Sequence, residues 1–270
     1  MAFRDHLDGA VKIDSINPIN EMRLLIESNP NDAILFTSVE GAVGHSAAAN
    51  VCLRDNMVNQ FGIQPAELLK TLEWAMNNPS EPEKYQGNAP VLENSIEPVD
   101  LRKLPIPHHY PQDRGRYMSA SIIIAEHAGI RNVSFHRQFV RDENHLVARL
   151  VPRHLRTMVD EARAQGDVVN IAIVNGADPC LLLAGAMSFN EPIDELTVAS
   201  SLYQKFYGKA MQVITLENGV TVPADAEYAM CATITSEDDD EGPYIDITGT
   251  IDDVRKQPVI EVHSIHHRNN

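Results

Sequence analysis

An arginine in an apolar stretch is the first residue whose setting indicates chemistry. Residues 132–137 read Asn-Val-Ser-Phe-His-Arg and have the composition of a strand. Strand alternation gives them two faces, with Asn132, Ser134 and His136 on one and Val133, Phe135 and Arg137 on the other. A guanidinium beside Val and Phe is predicted to meet a carboxylate or a phosphate. A structural ion pair at a strand end explains the same pattern, and spacing alone favours that simpler interpretation.

A pair of carboxylates flanks a Gly-Pro turn further along the chain. Glu241 and Asp246 stand at the two ends of the segment EGPYID, with a tyrosine between them. A turn can bring both groups into one pocket, as acid–base catalysis by paired carboxyl groups requires. Glu241 also ends the acidic run 237–241, however, and such a run is usually a solvated face.

Two more candidates stand where helices are predicted to begin. His154 follows Arg153 at the start of one helix, where a histidine can ligate a metal or help to bind an anion. Glu195 falls in the first turn of another helix, where a carboxylate complements the helix dipole. A capping histidine and a dipole partner are the simpler interpretations of each residue taken alone.

The composition excludes several classes of protein. A net charge of −16 over 270 residues argues against nucleic acid as a partner, because phosphate binding needs clustered Lys and Arg. The apolar runs are too short for a transmembrane helix, and the N-terminal segment has no secretory signal. Three widely separated cysteines form no metal-binding spacing and indicate a reducing compartment. We therefore expect a cytoplasmic protein without membrane contact.

The elements that must position these residues alternate between helix and strand in the first third of the chain. The predicted helices cover 19–28, 46–60 and 65–77, and the segment DAILFTSV is a buried strand. Residues 78–116, rich in Pro and polar side chains, are predicted to be a linker that wraps the surface. Strands dominate from Tyr117 onward, interrupted by helices at 153–165, LLLAGAM and 194–206 and by a hairpin turn at Asn218-Gly219.

The order of motifs along the chain resembles one known family. The matching pieces are DLRKLPIP at 100–107, RNVSFHR at 131–137, NGADPCLLLAGAM at 175–187, VPADAEY at 222–228 and EGPYIDITG at 241–249. As a series they resemble the UbiD-like family, which uses prenylated FMN to interconvert unsaturated or aromatic acids with their decarboxylated products. We expect an α/β (α+β) fold in two units. Residues 1–98 would form a small N-terminal α/β domain with its linker, and residues 99–270 a split-β-barrel-like domain that binds prenylated FMN.

The resemblance also implies a metal beside the flavin phosphate. Asn132, His154 and Glu195 would hold a divalent cation, and oxygen-rich ligation with one imidazole suits Mn²⁺. Potassium (K⁺) would lie beside it on the backbone carbonyl groups of Val133, Ala184, Gly185 and Met187. The residues that would line the cofactor are Asn132, Val133, Ser134, Phe135, His136, Arg137, Arg153, His154, Gly185, Ala186, Met187 and Glu195.

By the same resemblance, Arg137, Glu241 and Asp246 form the catalytic group. Arg137 would orient the substrate carboxylate by a bidentate contact, and Glu241 would pair with Arg137. Asp246, kept neutral by burial and a carboxylate neighbour, would protonate the carbon that loses carbon dioxide. The cofactor would supply the electron sink. The expected activity is reversible, non-oxidative decarboxylation of an aromatic or α,β-unsaturated carboxylic acid.

The expected partners follow from the length of the chain. Family members usually continue past the strand that ends here in HSIHHRNN, and the further part resembles a domain that supplies oligomer contacts. We therefore expect a homo-oligomer or a separate C-terminal subunit, besides the carboxylic acid substrate and a flavin prenyltransferase that supplies the cofactor. Two alternatives stay open: a non-catalytic subunit that only binds the flavin, and a protein that kept only the fold.

Overall fold

The computed structural model describes residues 1–188 and 193–269. Its N-terminal part combines a small sheet with three helices. The strands are β1 (Val11–Ile13), β2 (Ile34–Phe36) and β3 (Ala47–Ala49), and the helices are α1 (Glu21–Ser28), α2 (Arg54–Phe61) and α3 (Leu68–Asn77). β2 lies between the other two strands, parallel to β1 and antiparallel to β3. Its side chains Ile34 and Phe36 are fully buried, which is why this apolar strand forms the centre of the small sheet.

The prediction of a helix over residues 46–60 is wrong in its first half. The backbone of Ala47–Ala49 pairs with β2, so these alanines form a strand, and α2 begins only at Arg54. Gly62, in the left-handed conformation that favours glycine, follows α2 and ends it. Helices α1 and α3 confirm the other two predictions, each beginning a few residues later than expected.

Strands dominate the rest of the chain, as predicted. They are β4 (Glu83–Lys84), β5 (Asn94–Ser95), β6 (Tyr117–Met118), β7 (Ile122–His127), β8 (Ile130–Phe135), β9 (Gln138–Val140), β10 (His145–Ala148), β11 (Val169–Asn175), β12 (Gln212–Thr215), β13 (Thr221–Pro223), β14 (Tyr228–Glu241), β15 (Tyr244–Ile245), β16 (Ile251–Asp252) and β17 (Arg255–His267). The helices among them are α4 (His154–Ala164), α5 (Pro179–Ala186) and α6 (Glu195–Tyr207), close to their predicted bounds.

A nine-stranded antiparallel sheet organises these elements. Its order is β6-β9-β10-β17-β14-β11-β7-β8, with β5 beside β17. Both faces are covered. Ala172 and Val174 of β11 face the core formed with α5 and α6, whereas Ile171 and Ile173 face the core that α4 closes. Burial on both faces explains why β11 is apolar almost throughout.

The segment 78–116 packs on the second part and places Leu101 and Leu104 in its core, so its role as a surface linker between two units stays a prediction. β4 pairs with β12, and the backbone N–H of Ile96 donates to the carbonyl of Ile265 at 3.0 Å. The helices before it also reach the second part, since Phe61 of α2 stacks on Phe206 of α6 with ring centroids 3.9 Å apart. The boundary between two units at residue 98 stays a prediction. Within 1–188 and 193–269, no helix is both long and apolar enough to cross a membrane.

Candidate active site

Strand β8 carries a hydrogen-bonded row of polar side chains on one face. The hydroxyl of Ser134 donates to Oδ1 of Asn132 at 2.9 Å and lies 2.9 Å from Nε2 of His136. The other ring nitrogen of His136 lies 3.1 Å from the carbonyl oxygen of Arg149. The alternation predicted from sequence therefore brings these three side chains together. Burial lowers the pKa of His136, so its imidazole is neutral near pH 7.

Glu195 reaches this row from the first turn of α6. Its Oε1 accepts a hydrogen bond from Nδ2 of Asn132 at 3.2 Å, and its Oε2 accepts one from the backbone N–H of Val133 at 2.8 Å. Asp194 caps the helix by accepting from the backbone N–H of Leu196, which fixes the turn from which Glu195 projects. Two of the three residues that the resemblance assigns to a metal are therefore in contact.

The electrostatic setting of Glu195 fits a cation. The side chain is 3% exposed, and burial raises its pKa to about 7, although the hydrogen bond from Val133 opposes the shift. Across the described ranges, no Lys, Arg or His forms an ion pair with it. A buried carboxylate without a cationic partner is costly unless a cation neutralises it. Glu195 is therefore a candidate ligand for a cation at this position.

His154 stands at the first position of α4, which packs against β8. In the part of the chain that the structure describes, His154 forms no hydrogen bond with Asn132 or Glu195. The same described residues contain no cluster of three or more His, Cys, Asp or Glu side chains that could hold a metal. Arg153, the residue before the helix, donates to the Ser188 hydroxyl at 3.1 Å. The membership of His154 in a metal site stays a prediction.

Gly185 of α5 lies close to β8 for a steric reason. A Cβ on this glycine would stand 3.3 Å from Cδ1 of Ile122 and 3.7 Å from the carbonyl oxygen of Val133. The missing side chain therefore lets the helix approach the strand. The Val133 carbonyl oxygen, which the resemblance assigns to potassium, therefore lies close to Gly185. The Ala184 carbonyl, also assigned to potassium, accepts a hydrogen bond from the Met187 N–H.

Arg137 follows β8 and is held by two carboxylates. Its Nε and Nη2 donate to the two carboxylate oxygens of Glu241 at 2.8 and 3.0 Å, and its Nη1 donates to Asp252 at 2.7 Å. The guanidinium also lies 4.4 Å from the centre of the Tyr244 ring, a cation–π contact. Burial lowers the pKa of Arg137, but Glu241 and Asp252 outweigh it, so the pKa is raised and the charge is kept.

Asp246 occupies a different environment from the one expected. It lies in the turn between β15 and β16, where its Oδ1 accepts bonds from the Thr248 hydroxyl and from the backbone N–H groups of Thr248 and Thr250. These bonds, led by the one from the Thr248 hydroxyl, lower its pKa. The prediction of a buried and neutral Asp246 is therefore wrong for this structure, because a carboxylate that accepts several hydrogen bonds stays ionised.

Asp252 is the site carboxylate that the sequence did not reveal. It pairs with Tyr244 across the β15–β16 hairpin, and this pairing places its carboxylate within hydrogen-bonding distance of Arg137. The flanking segments YI and ID around a Thr-Gly turn carry a weak hairpin signal that could have predicted the pairing.

A cavity of about 1030 Å³ opens between the N-terminal part and the second part. Its lining is mainly apolar and comes from both parts. Examples are Met22 of α1, Ala48 of β3, Met118 of β6, Phe135 of β8 and Ala186 of α5. Phe135 and Ala186 are two of the residues predicted to line the cofactor, and Ile247 beside Asp246 also borders the cavity. The volume is that of a site for a large organic ligand.

Comparison with known proteins defines the class of this chain. The family model described as "UbiD: 3-octaprenyl-4-hydroxybenzoate carboxy-lyase Rift-related domain" matches residues 83–270. The chain therefore belongs to the UbiD family, and the resemblance drawn from its motifs is confirmed.

Among its relatives are two archaeal proteins named anhydromevalonate phosphate decarboxylase. The protein of Methanosarcina mazei is 35% identical over 94% of this chain and 58% of its own length. The protein of Methanocaldococcus jannaschii is 33% identical over 83% of this chain and 53% of its own length. The chain thus spans little more than half the length of these relatives.

Solved structures confirm the fold. The UbiD-class enzyme HmfF from Pelotomaculum thermopropionicum, in complex with FMN, superimposes with a TM-score of 0.92 at 28% identity, covering 99% of this chain and 63% of HmfF. An evolved dimeric form of HmfF in complex with prenylated FMN gives a TM-score of 0.93 at 29% identity, covering 99% and 65% of the two chains. The predicted mixed α/β architecture agrees with these neighbours, both of which are complexes with a flavin.

Proposed function

We propose that this chain binds prenylated FMN and catalyses the reversible, non-oxidative decarboxylation of an α,β-unsaturated or aromatic acid. The observation that carries the proposal is the buried pair of Arg137 and Glu241, where Arg137 stands two residues after Phe135 of the cavity lining. Both oxygens of a carboxylate without exposed surface are used to hold one guanidinium. Such a fixed arginine is suited to a planar, anionic substrate group. The names of the relatives make anhydromevalonate phosphate the first substrate to test.

Each residue of the proposed catalytic group has a distinct part. Arg137 uses nitrogen atoms Nε, Nη1 and Nη2 to bind Glu241 and Asp252, and its remaining N–H groups are donors for the substrate carboxylate. Glu241 holds the guanidinium plane. Asp246 is proposed to relay a proton from solvent to the substrate carbon that loses carbon dioxide. Because its lowered pKa keeps the carboxylate ionised in the free chain, Asp246 must first take up this proton, after bound substrate has displaced the hydrogen bonds that stabilise the charge.

The cofactor site is proposed beside β8. Asn132 and Glu195, joined by His154, would hold Mn²⁺, and K⁺ would lie near the carbonyl of Val133. The buried, cation-free carboxylate of Glu195 supports this assignment. When bound, prenylated FMN supplies the electron sink that decarboxylation requires. Phe135 and Ala186 would border it, because both line the cavity.

The test uses the chain produced together with a flavin prenyltransferase and Mn²⁺. Carbon dioxide release from anhydromevalonate phosphate is expected, and Arg137→Ala should lower kcat/KM at least a hundredfold, since a charge-assisted contact to the reacting group is lost. Arg141→Ala is the matched control, because Arg141 also pairs with carboxylates but away from the cavity. A flavin-loaded chain without turnover would overturn the catalytic proposal and favour the alternative of a flavin-holding subunit that needs a separate partner.

A further inference from the structure

A backbone carbonyl group fixes the tautomer of His136. The Nδ1 atom lies 3.1 Å from the carbonyl oxygen of Arg149, which can only accept a hydrogen bond. The single hydrogen of the neutral imidazole therefore stands on Nδ1, and Nε2 presents a lone pair. Among the described residues, Ser134 is the only hydrogen-bond partner of Nε2, with its hydroxyl oxygen 2.9 Å away.

The row of side chains from His136 to Asn132 is one hydrogen short. The Ser134 hydroxyl oxygen lies 2.9 Å from Nε2 of His136 and 2.9 Å from Oδ1 of Asn132, and both of these atoms are acceptors. One hydroxyl hydrogen can serve only one of them. The Asn132 amide keeps its orientation, because its Nδ2 donates to Oε1 of Glu195. The acceptor that the hydrogen leaves therefore faces the Ser134 oxygen with no donor between them.

We propose that His136 is a positioning residue that takes the Ser134 hydrogen when a divalent cation binds, and that Ser134 joins Asn132 as a ligand of this cation. With the hydrogen turned towards His136, the oxygen atoms of Ser134 and Asn132 both direct lone pairs at the cation. The hydroxyl only rotates, so no proton enters or leaves the row. His136 acts through Ser134 and needs no contact with the cation. The inference rests on the cation site of the proposed function.

The two oxygen atoms suit a small, hard cation. An octahedral ion with bonds of about 2.1 Å holds neighbouring ligand atoms about 3.0 Å apart, close to the 2.9 Å between Ser134 and Asn132. Oxygen ligands of this kind are the ones that Mn²⁺ and Mg²⁺ prefer. The carboxylate of Glu195, bonded to the Asn132 amide, adds negative charge beside them. A water molecule that donates to one of the oxygens is the alternative occupant, and the affinity for Mn²⁺ distinguishes the two.

The closing experiment titrates Mn²⁺ into the chain without flavin and measures the free ion by electron paramagnetic resonance. Ser134→Ala should raise the Kd for Mn²⁺ at least tenfold, because one ligand is lost. His136→Phe should raise it about tenfold, because the Ser134 hydrogen then stays on Asn132. His136→Gln should restore a Kd close to that of the wild-type chain, since its amide offers a donor for the Arg149 carbonyl and an acceptor for Ser134.

The control is Ser200→Ala, which removes a buried hydroxyl that donates to the carbonyl of Glu81 at 3.3 Å, and it should leave the Kd unchanged. In the Ser134→Ala background, His136→Phe should add almost nothing, because His136 acts only through Ser134. Additive effects of the two substitutions would overturn the proposal. A wild-type chain that binds Mn²⁺ no more tightly than Ser134→Ala would also overturn it and would favour water as the occupant.

A second measurement tests the hydrogen count directly. The ¹⁵N NMR signals of the His136 ring at pH 7 should show a hydrogen on Nδ1 and a lone pair on Nε2. A doubly protonated ring would complete the row without a cation and would overturn the proposal. Neither measurement needs flavin or substrate, so a chain without decarboxylase activity leaves both results intact, and their failure leaves the proposed role of Arg137 untouched.

Discussion

Glu241 is a carboxylate without exposed side-chain surface, and its charge is tolerated in the interior because Arg137 donates two hydrogen bonds to it. Asp252 bonds the same guanidinium from a side chain that is 34% exposed. The two carboxylates therefore share one partner but differ in burial. This difference separates a contact that the fold depends on from one that water can replace.

The first prediction compares these two carboxylates. Glu241→Ala should lower the free energy of unfolding by about 3–5 kcal/mol, because it leaves Arg137 charged in a buried site. Asp252→Ala should cost at most about 1 kcal/mol, as expected for a partly solvated ion pair. Urea unfolding followed by circular dichroism gives both values. Equal decreases in the free energy of unfolding for the two substitutions would show that the buried Glu241 contact stabilises the fold no more than the Asp252 contact does.

Asp225 gives a prediction on pH. Burial raises the pKa of its carboxyl to about 6, against about 3.9 in an unfolded chain. The folded state therefore binds this proton more tightly, so the stabilisation is complete below about pH 4 and is lost as the pH rises through 6. In the wild-type chain, the free energy of unfolding should fall by on the order of 2 kcal/mol between pH 4 and 7 because of this group, and Asp225→Asn should abolish that fall. The exposed Asp32→Asn is the control, and an unchanged pH profile in Asp225→Asn would contradict the assignment.

At the scale of elements, the β15–β16 hairpin is attached to the end of β14 by Gly242. This glycine has a φ of +92°, and a Cβ on it would stand 3.1 Å from the backbone oxygen of Asp253. Gly249, in the turn of the hairpin, has a φ of +80° but open space around it. The hairpin carries Asp246 and Asp252, so its attachment decides where both carboxylates lie.

Alanine substitutions at Gly242 and Gly249 should distinguish the energetic cost of backbone strain from the effect of moving the hairpin. Gly249→Ala is expected to cost about 1 kcal/mol from its positive φ alone. Gly242→Ala should cost more, about 2–3 kcal/mol, and lower kcat/KM at least tenfold, because the backbone contact forces the hairpin to move. Unfolding and turnover are measured on the same samples. Similar values for both variants would rule out the hairpin attachment as a determinant of the site.

The elements also show which features a sequence can predict. The polar face of β8 followed from strand alternation, because the period of a strand fixes which side chains are neighbours. The environment of Asp246 and the contact of Asp252 did not, since both depend on a hairpin whose register no local pattern fixes. Ala47–Ala49 was misassigned for a related reason: alanines favour a helix, and pairing with β2 overrides that preference.

At the scale of the whole molecule, the proposed function requires an anionic substrate to approach a chain with a net charge of −16. The electrostatic repulsion between such a substrate and the acidic chain acts at long range and is screened by salt, whereas a contact with Arg137 acts only at short range. Raising the ionic strength from 20 to 300 mM should therefore raise kcat/KM for anhydromevalonate phosphate roughly threefold and leave kcat nearly unchanged. Steady-state kinetics at several salt concentrations check this. A falling kcat/KM would mean that local positive charge outweighs the acidic surface.

The central claim is that this chain holds prenylated FMN through a cation on Asn132 and Glu195. The most direct test is mass spectrometry of the flavin and metal analysis of the chain purified after co-production with a flavin prenyltransferase. We predict close to one prenylated FMN and one Mn²⁺ per chain, loss of both in Glu195→Gln, and retention in the control Asp246→Asn. A wild-type chain that carries no prenylated flavin, or a Glu195→Gln chain that keeps flavin and metal, would contradict the account.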